Sequence, residues 1–186
     1  MRVIAGRARG RRLIAPQRSR RLRGSSIRPT SDLVRGAIFS VLASLQADMS
    51  RVLDLYAGSG ALGIEALSRG GDWCDFIERD RATCETICEN LRLTGFEDQA
   101  RVYSLPAKRA VEELHGPYAL VLADPPYEDE TALGVLESLA EKRLAQEGKT
   151  VLVLEHSARG DAPGEIGGLV LVNARRHGDS AISIYR

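Results

Sequence analysis

The sequence predicts an α/β protein with a doubly wound, mostly parallel sheet of seven strands and an amino-terminal β-hairpin extension. Three observations support this fold class. Short apolar runs typical of buried strands alternate with amphipathic helical patterns between residues 51 and 155, which indicates βαβ units. A glycine-rich loop lies where the first of these strands meets its helix. The last two apolar runs have no helix between them, so they predict a closing hairpin.

The expected elements follow one another along the chain without an internal repeat. Strands are expected at residues 51–55, 75–78, 101–104, 118–123, 150–155, 169–173 and 181–185, with a turn over 175–179. Helices are expected at 61–69, 82–93, 107–114 and 130–144, after an earlier helix that starts near Pro29 and reaches Leu42. A strand order of 3-2-1-4-5 would make the first and fourth strands neighbours, with their carboxyl ends facing one pocket.

Charge is distributed unevenly along the chain. The net charge is +1 over 186 residues, yet residues 1–35 hold eleven arginines against Asp32 alone, a local charge of +10 that leaves −9 for the rest. A basic arm on an acidic body is typical of a contact with nucleic acid, although a solvated tail has a similar composition. We predict a basic β-hairpin and linker over residues 1–28 and one α/β domain over residues 29–186.

The arm itself supplies the first candidate binding residues. An arginine-rich transit peptide is an alternative, but residues 3–6 and 12–14 look like two short strands around a glycine-containing turn and not like an amphipathic helix. Arg35 could equally be a solvated residue on the surface of its helix. The residues that we expect to contact a nucleic-acid substrate are Arg7, Arg9, Arg11 and Arg12 in the arm, with Arg28, Thr30 and Arg35 where it joins the body.

Several classes of protein are disfavoured by the sequence. No apolar stretch reaches the length of a signal-peptide core or a transmembrane helix, so we expect a soluble, cytoplasmic protein without a membrane contact. Cys74, Cys84 and Cys88 are odd in number and lack paired CxxC spacing, which argues against disulfides and against a zinc site. We therefore predict no metal, and a monomer is the default expectation.

The glycine-rich loop predicts a cofactor site. Residues 54–63 contain G-x-G-x-x-G at a strand-to-helix junction, and Glu78 follows Gly58 by twenty residues at the end of the next strand. Glycines let the backbone approach a ligand, the helix start offers N–H groups, and an acid can accept both hydroxyls of a ribose. The pattern therefore favours a nucleoside-containing cofactor over a glycine turn that serves packing alone.

Asp54 discriminates between two cofactors of this kind. A dinucleotide would bring a pyrophosphate to the end of the first strand, where the carboxylate of Asp54 is an unfavourable like charge. S-adenosylmethionine brings an ammonium and a sulfonium instead, and a nearby carboxylate favours both. The chain also lacks room for a second mononucleotide-binding half. We therefore expect S-adenosylmethionine.

A second motif, Asp124-Pro125-Pro126-Tyr127, follows the fourth expected strand. Each proline excludes a helical turn at the residue before it and removes an N–H, which leaves local carbonyls free to accept from a ligand. A carboxylate, a carbonyl and an aromatic face side by side suit the exocyclic amino group of a flat base. The motif could also be an ordinary turn that ends a strand.

These motifs resemble those of a known family. Residues 54–60 are similar to the glycine-rich motif of class I S-adenosylmethionine-dependent methyltransferases, Glu78 to their ribose-binding acid, and residues 124–127 to the (D/N)PP(Y/F/W) motif of amino-group methylases. Residues 1–16, with 28–32 and the helix to Leu42, resemble the amino terminus of bacterial small-subunit (16S) ribosomal RNA guanine-N2 methyltransferases. The resemblance covers nearly the whole chain and implies a Rossmann-like methyltransferase fold.

The resemblance implies roles for particular residues. Asp124 and the Pro125 carbonyl would accept the two N–H bonds of a guanine amino group, Tyr127 would stack on the base and Pro126 would contact the substrate. The partner would be small-subunit ribosomal RNA or its assembly intermediate. The cofactor would contact Asp54, Tyr56, Ala57, Gly58, Gly60, Glu78 and Arg79.

The adenine contact, the role of His156 and the function of the protein each have an alternative. Residues 104–108 lack the acid that often binds the cofactor's adenine in related enzymes, so a backbone carbonyl or a water is expected there. His156 could be a substrate contact or an ordinary surface residue. A DNA adenine-N6 methylase and a noncatalytic nucleic-acid-binding module are the alternative functions.

Overall fold

The computed structural model describes residues 1–16 and 32–186, so the expected linker and the candidates Arg28 and Thr30 lie outside the described residues. The helices are α1 (Asp32–Ser44), α2 (Ala61–Ser68), α3 (Arg81–Thr94), α4 (Ala107–Glu113) and α5 (Ala132–Glu141), with a 3₁₀ turn at Glu97–Gln99. The strands are β1 (Arg51–Asp54), β2 (Trp73–Glu78), β3 (Ala100–Ser104), β4 (Leu120–Ala123), β5 (Val151–Ser157), β6 (Glu165–Ile166), β7 (Leu169–His177) and β8 (Ser180–Tyr185).

The strands form one mixed sheet in the order β3-β2-β1-β4-β5-β8-β7-β6. Strands β1 to β5 are parallel, and β8 inserts antiparallel between β5 and β7. The expected order 3-2-1-4-5 is therefore confirmed. Within the described residues the sheet has eight strands and not seven, because the two-residue β6 pairs with β7 and is too short to leave a pattern in the sequence.

The closing hairpin is tighter than expected. Strand β7 continues through Arg175 and Arg176 to His177, so the turn predicted over residues 175–179 is wrong in its first half. The chain reverses at Gly178, whose φ of +64° is a conformation that glycine adopts without a steric cost. The pairing of β7 with β8 gives the polar residues of β7 their strand conformation, since their own side chains are mostly exposed.

Helices cover both faces of the sheet, as a doubly wound fold requires. On one face, α1, α2 and α3 contribute to one apolar cluster with residues such as Ile38, Ile64 and Ile87. On the other face, α4 and α5 contribute to a second cluster with Val111 and Leu136. The central strands β1 and β4 are buried on both sides, which explains their continuous apolar runs.

The amino-terminal hairpin is reduced to a single bridge between Arg2 and Arg12. Backbone hydrogen bonds from Val3 N to Arg11 O (2.9 Å) and from Gly10 N to Val3 O (2.9 Å) close it. The two strands expected at residues 3–6 and 12–14 do not form. Backbone N–H groups of both segments donate instead to the side chains of Glu65 on α2 and Asn90 on α3. Val3, Ala8 and Leu13 join the apolar cluster beneath it.

Candidate active site

The glycine loop connects β1 to α2, and a different physical requirement applies at each of its three motif glycines. Gly58 has φ +54°, and nothing in residues 1–16 and 32–186 lies within 4 Å of the position a Cβ would occupy, so these residues leave open space beside the backbone there. Gly60 has φ +78° and packs closely on Ile87. A Cβ on Gly63 would lie 2.4 Å from the Phe76 ring, so this glycine allows α2 to pack against β2.

Asp54 ends β1 and is buried, with 1% of its surface exposed. Its Oδ2 accepts a hydrogen bond from Gly63 N at 2.9 Å, while its Oδ1 has no hydrogen-bond partner among residues 1–16 and 32–186. Burial raises the pKa of Asp54 to about 7; the Gly63 N–H opposes this shift and the charge of Glu78 adds to it. A buried acceptor without a partner fits a ligand that brings a cation or a donor.

Glu78 lies at the carboxyl end of β2, beside the glycine loop. Its Oε2 accepts from Gly58 N at 3.1 Å and its Oε1 accepts from Asp80 N at 2.8 Å. These two backbone donors fix the orientation of the carboxylate, and each oxygen keeps further capacity to accept from a hydroxyl pair. The geometry suits the ribose of a nucleoside.

The other predicted cofactor residues surround this loop. Ala57 is buried, and its N–H donates to Ile77 O at 2.9 Å, which anchors the loop on β2. The Tyr56 hydroxyl is enclosed without a hydrogen-bond partner in the described part of the chain, and burial followed by the charge of Asp129 raises its pKa to about 12. Arg79 is exposed next to Glu78.

The segment after β3 lies beside Glu78, where the expected adenine contact would fall. Leu105 N donates to Glu78 O at 3.1 Å, and Ser104 is exposed. The backbone of this segment is thereby hydrogen-bonded to the end of β2, which carries the ribose-binding candidate Glu78. The residues present fit S-adenosylmethionine. The unpartnered oxygen of Asp54 suits the ammonium of the cofactor, and Glu78 suits its ribose. The open space at Gly58 would let the cofactor lie along the loop.

The tetrapeptide 124–127 follows β4, directly beside the glycine loop. β1 and β4 pair in register with Asp54 opposite Leu122, so Asp124 lies two residues beyond Asp54 at the same edge of the sheet. Asp124 is partly buried, Pro125 is buried and Pro126 is exposed. Tyr127 is 50% exposed, and its hydroxyl lies 2.6 Å from Ser180 Oγ. The two motifs are thus brought to one place.

His156 is held within the sheet. Its Nδ1 lies 3.0 Å from Ser157 O and its Nε2 lies 2.9 Å from Ser183 Oγ. Burial lowers its pKa, so the neutral ring is favoured. Because both ring nitrogens have protein partners, we give His156 a structural place between β5 and β8.

The arm arginines fall into two groups. Arg9, Arg11 and Arg12 are exposed. Arg7 is exposed as well, but its guanidinium donates to Leu67 O at 3.3 Å and to Gln99 Oε1 at 3.0 Å and lies 5.2 Å from the centre of the Phe96 ring. Arg7 therefore helps to fasten the arm to the body.

The alternative that Arg35 is a solvated residue on the surface of its helix is wrong. It is completely buried, and its Nη2 donates to Arg2 O at 2.5 Å and to Asp32 Oδ1 at 3.0 Å. Because these acceptors lie on the arm and on its own helix, Arg35 joins α1 to the arm. Its part in substrate binding remains a prediction, and these contacts would make that part indirect.

Two residues important to this region escaped the sequence reasoning. Asn90 on α3 accepts from Ile14 N at 2.7 Å and donates to Ile14 O at 3.0 Å and to Ser59 O at 2.9 Å. Glu65 on α2 accepts from Ile4 N at 2.8 Å and from Ala5 N at 3.0 Å. Both are fully buried polar residues on apolar helix faces, and that position was the available signal.

Further observations concern metals, disulfides and membranes. Over residues 1–16 and 32–186, no cluster of three or more histidine, cysteine or acidic side chains is arranged to hold a metal ion. Cys74, Cys84 and Cys88 are free thiols. None of the helices within those same ranges combines the length and the apolar character needed to cross a bilayer.

The fold and the site together define a class I S-adenosylmethionine-dependent methyltransferase. More particularly, the chain belongs to the family described as "Conserved hypothetical protein 95", whose profile matches residues 1–186. A Bacillus subtilis relative named "Putative rRNA methyltransferase YlbH" is 35% identical over 189 residues, covering 100% of this chain and 98% of the relative.

Two further similarities come from Escherichia coli. "Ribosomal RNA small subunit methyltransferase D" of strain K12 is 39% identical over 127 residues, which cover 68% of this chain and 60% of that protein. The solved structure of "Putative methyltransferase yhhF" is 30% identical, with a TM-score of 0.81, and the superposition covers 100% of this chain and 96% of that one. The Rossmann-like methyltransferase fold expected from the sequence is confirmed.

Proposed function

We propose that this protein transfers a methyl group from S-adenosylmethionine to the exocyclic N2 amino group of a guanine in small-subunit (16S) ribosomal RNA. The observation that carries the proposal is the placement of Asp124–Tyr127 at the end of β4, directly beside the cofactor loop at the end of β1. The names of the Bacillus and Escherichia relatives, which specify ribosomal RNA, support the substrate class.

The chemistry asks the protein to activate a weak nucleophile. When bound, S-adenosylmethionine supplies an electrophilic methyl group on a sulfonium. The amino lone pair of guanine is delocalised into its ring, so it must be redirected before it can attack. Asp124 and the Pro125 carbonyl accept hydrogen bonds from the two N–H groups of the guanine amino group. These bonds draw the amino nitrogen toward a tetrahedral form. Positioning of this kind lowers the barrier without a covalent enzyme intermediate.

The remaining residues of the motif hold the base. Tyr127 offers a half-exposed ring for stacking, and the exposed Pro126 borders it. A base inside a helix cannot enter such a pocket, so the target guanine is unpaired or flipped out. After the transfer, the extra proton on nitrogen passes to Asp124 or to water.

The arm supplies the sequence-independent part of RNA binding. Arg9, Arg11 and Arg12 are exposed on a segment that is packed on α2 and α3, close to the glycine loop. Their guanidinium groups contact phosphates while the pocket holds one base. We keep a cytoplasmic location and a monomeric state as parts of this proposal.

Methyl transfer to defined RNA tests the proposal. The assay uses labelled S-adenosylmethionine and small ribosomal subunits from cells that lack the enzyme, followed by nucleoside analysis of the RNA. Labelled N2-methylguanosine is the expected product. N6-methyladenosine would keep the amino-group chemistry but contradict the base assignment, and RNA binding without any transfer would indicate a noncatalytic binding module.

A further inference from the structure

Tyr127 is held by a strand from the far end of the chain. Its hydroxyl lies 2.6 Å from the hydroxyl of Ser180, the first residue of β8. The two residues are 53 positions apart in sequence. Stacking on a base needs only the aromatic ring, so this hydroxyl contact serves another purpose.

The sheet explains how Ser180 comes to lie beside the tetrapeptide. β4 and β5 remain paired only to Ala123 and Leu154, whereas β5 and β8 stay paired as far as Ser157 and Ser180. The β5–β8 pair therefore extends past the end of β4 and lies next to Asp124–Tyr127. His177 of β7 pairs with Ser180 from the other side, so Ser180 belongs to the sheet, directly after the turn at residues 178–179.

We propose that Ser180 is a positioning residue for Tyr127, and that its hydroxyl fixes the tyrosine ring as one wall of the pocket that receives the substrate base. The inference rests on the proposed function. A tyrosine on a short turn has two rotatable side-chain torsions, and a second anchor at its hydroxyl removes that freedom before the substrate arrives. The contact links the catalytic turn to the carboxyl-terminal hairpin.

The electrostatics of Tyr127 provide a spectroscopic readout. Burial raises the pKa of its hydroxyl, the hydrogen bond with Ser180 lowers it, and the negative charges of Glu155, Asp124 and Asp179 raise it further. Removing the Ser180 hydroxyl therefore raises the pKa of Tyr127. The shift is measured as tyrosinate ultraviolet absorbance during a pH titration, with the Tyr127→Phe variant subtracted to isolate this one tyrosine.

A double-mutant cycle tests the role in turnover. Ser180→Ala is expected to lower kcat/KM for RNA roughly three- to tenfold, the effect of losing one hydrogen bond, and to leave the affinity for S-adenosylmethionine unchanged. If Ser180 acts through Tyr127, the Ser180→Ala/Tyr127→Phe double variant is no slower than Tyr127→Phe. Ser180→Thr retains a hydroxyl and is expected to restore most of the activity.

The control is Ser138→Ala, since Ser138 donates to Gly134 O within α5 and lies outside the site. Wild-type turnover and an unshifted tyrosine titration in Ser180→Ala would overturn the inference, and so would multiplicative effects in the double variant. If the wild-type protein methylates no RNA, the proposed function fails. The titration then decides alone: a raised pKa in Ser180→Ala supports the anchor, and an unchanged pKa rejects it.

Discussion

Single side chains at the edge of the sheet determine the chemistry. Asp54 illustrates this, because its burial brings a carboxyl pKa of about 7 into a site that fits a cationic ligand. The folded-state pKa lies above the unfolded value near 3.9, so the stabilising contribution of this group is complete below about pH 4 and is lost as pH rises through about 7. The cofactor-free protein is expected to lose stability over that window.

Cofactor binding should show the opposite dependence on pH. The ammonium of S-adenosylmethionine favours ionised Asp54, so we expect its affinity to fall by up to about tenfold per pH unit below the pKa of about 7. Isothermal titration calorimetry between about pH 5.5 and 7 measures this slope. Asp54→Asn should bind more weakly with a flat profile, whereas an equal slope in that variant would assign the proton to another group.

A further prediction at the residue scale concerns Asp124. Asp124→Ala removes the carboxylate that accepts the amino N–H, so turnover is expected to fall at least about a hundredfold, as when one transition-state hydrogen-bonding group is lost elsewhere. Asp124→Asn keeps one acceptor oxygen and should retain more activity. Cofactor affinity should be unchanged in both. Unimpaired turnover, or loss of the fold in thermal unfolding, would contradict the catalytic role.

At the scale of secondary-structure elements, the packing of the arm on α2 determines which arginines are available to RNA. The arm lies against α2 because Glu65 and Ser68 accept from its backbone N–H groups. Arg7 lies over the Phe96 ring, whereas the exposed Arg9, Arg11 and Arg12 are the arginines that we expect to contact phosphates. The salt dependence of RNA binding reports the number of phosphate contacts, at about 0.7 per contact on single strands. The arm is therefore expected to contribute to this slope through Arg9, Arg11 and Arg12.

Replacing Arg9, Arg11 and Arg12 together by Gln should reduce the slope of log K against log salt by about 2. Filter-binding or fluorescence titrations at several salt concentrations give this slope. Arg109→Gln is the matched control, since Arg109 is an exposed arginine that pairs with Glu113 on α4. A triple variant with the wild-type slope would place the RNA on another surface.

At the scale of the whole molecule, the arm and the cofactor site are one structure. Asn90 joins them, because its amide binds both backbone groups of Ile14 and also donates to Ser59 O in the glycine loop. We therefore expect a change in the arm to affect the glycine loop, which is the proposed cofactor-binding loop. The basic segment that looks like an appendage in the sequence is part of the core.

Asn90→Ala should consequently affect both stability and cofactor binding. We expect a loss of about 2 kcal/mol in the free energy of unfolding, since the backbone groups of Ile14 lose their partners, together with a lower affinity for S-adenosylmethionine. Urea unfolding and calorimetry measure the two effects. The control is Thr86→Ala, since Thr86 is a partly buried residue of α3 whose hydroxyl donates to Ala82 O of the same helix. Destabilisation with an unchanged cofactor affinity would show that the arm does not support the loop.

The sequence by itself determined the doubly wound order of elements, the cofactor loop and the tetrapeptide. These features depend on local requirements: apolar periodicity, glycine at positive φ and the restriction that proline imposes on its neighbour. The tertiary structure alone decided the burial of Arg35, the contacts that hold Arg7 against the body, the extra strand β6 and the contact between Tyr127 and Ser180. Such contacts join residues far apart in the chain, and no local pattern encodes which distant partner a side chain will meet.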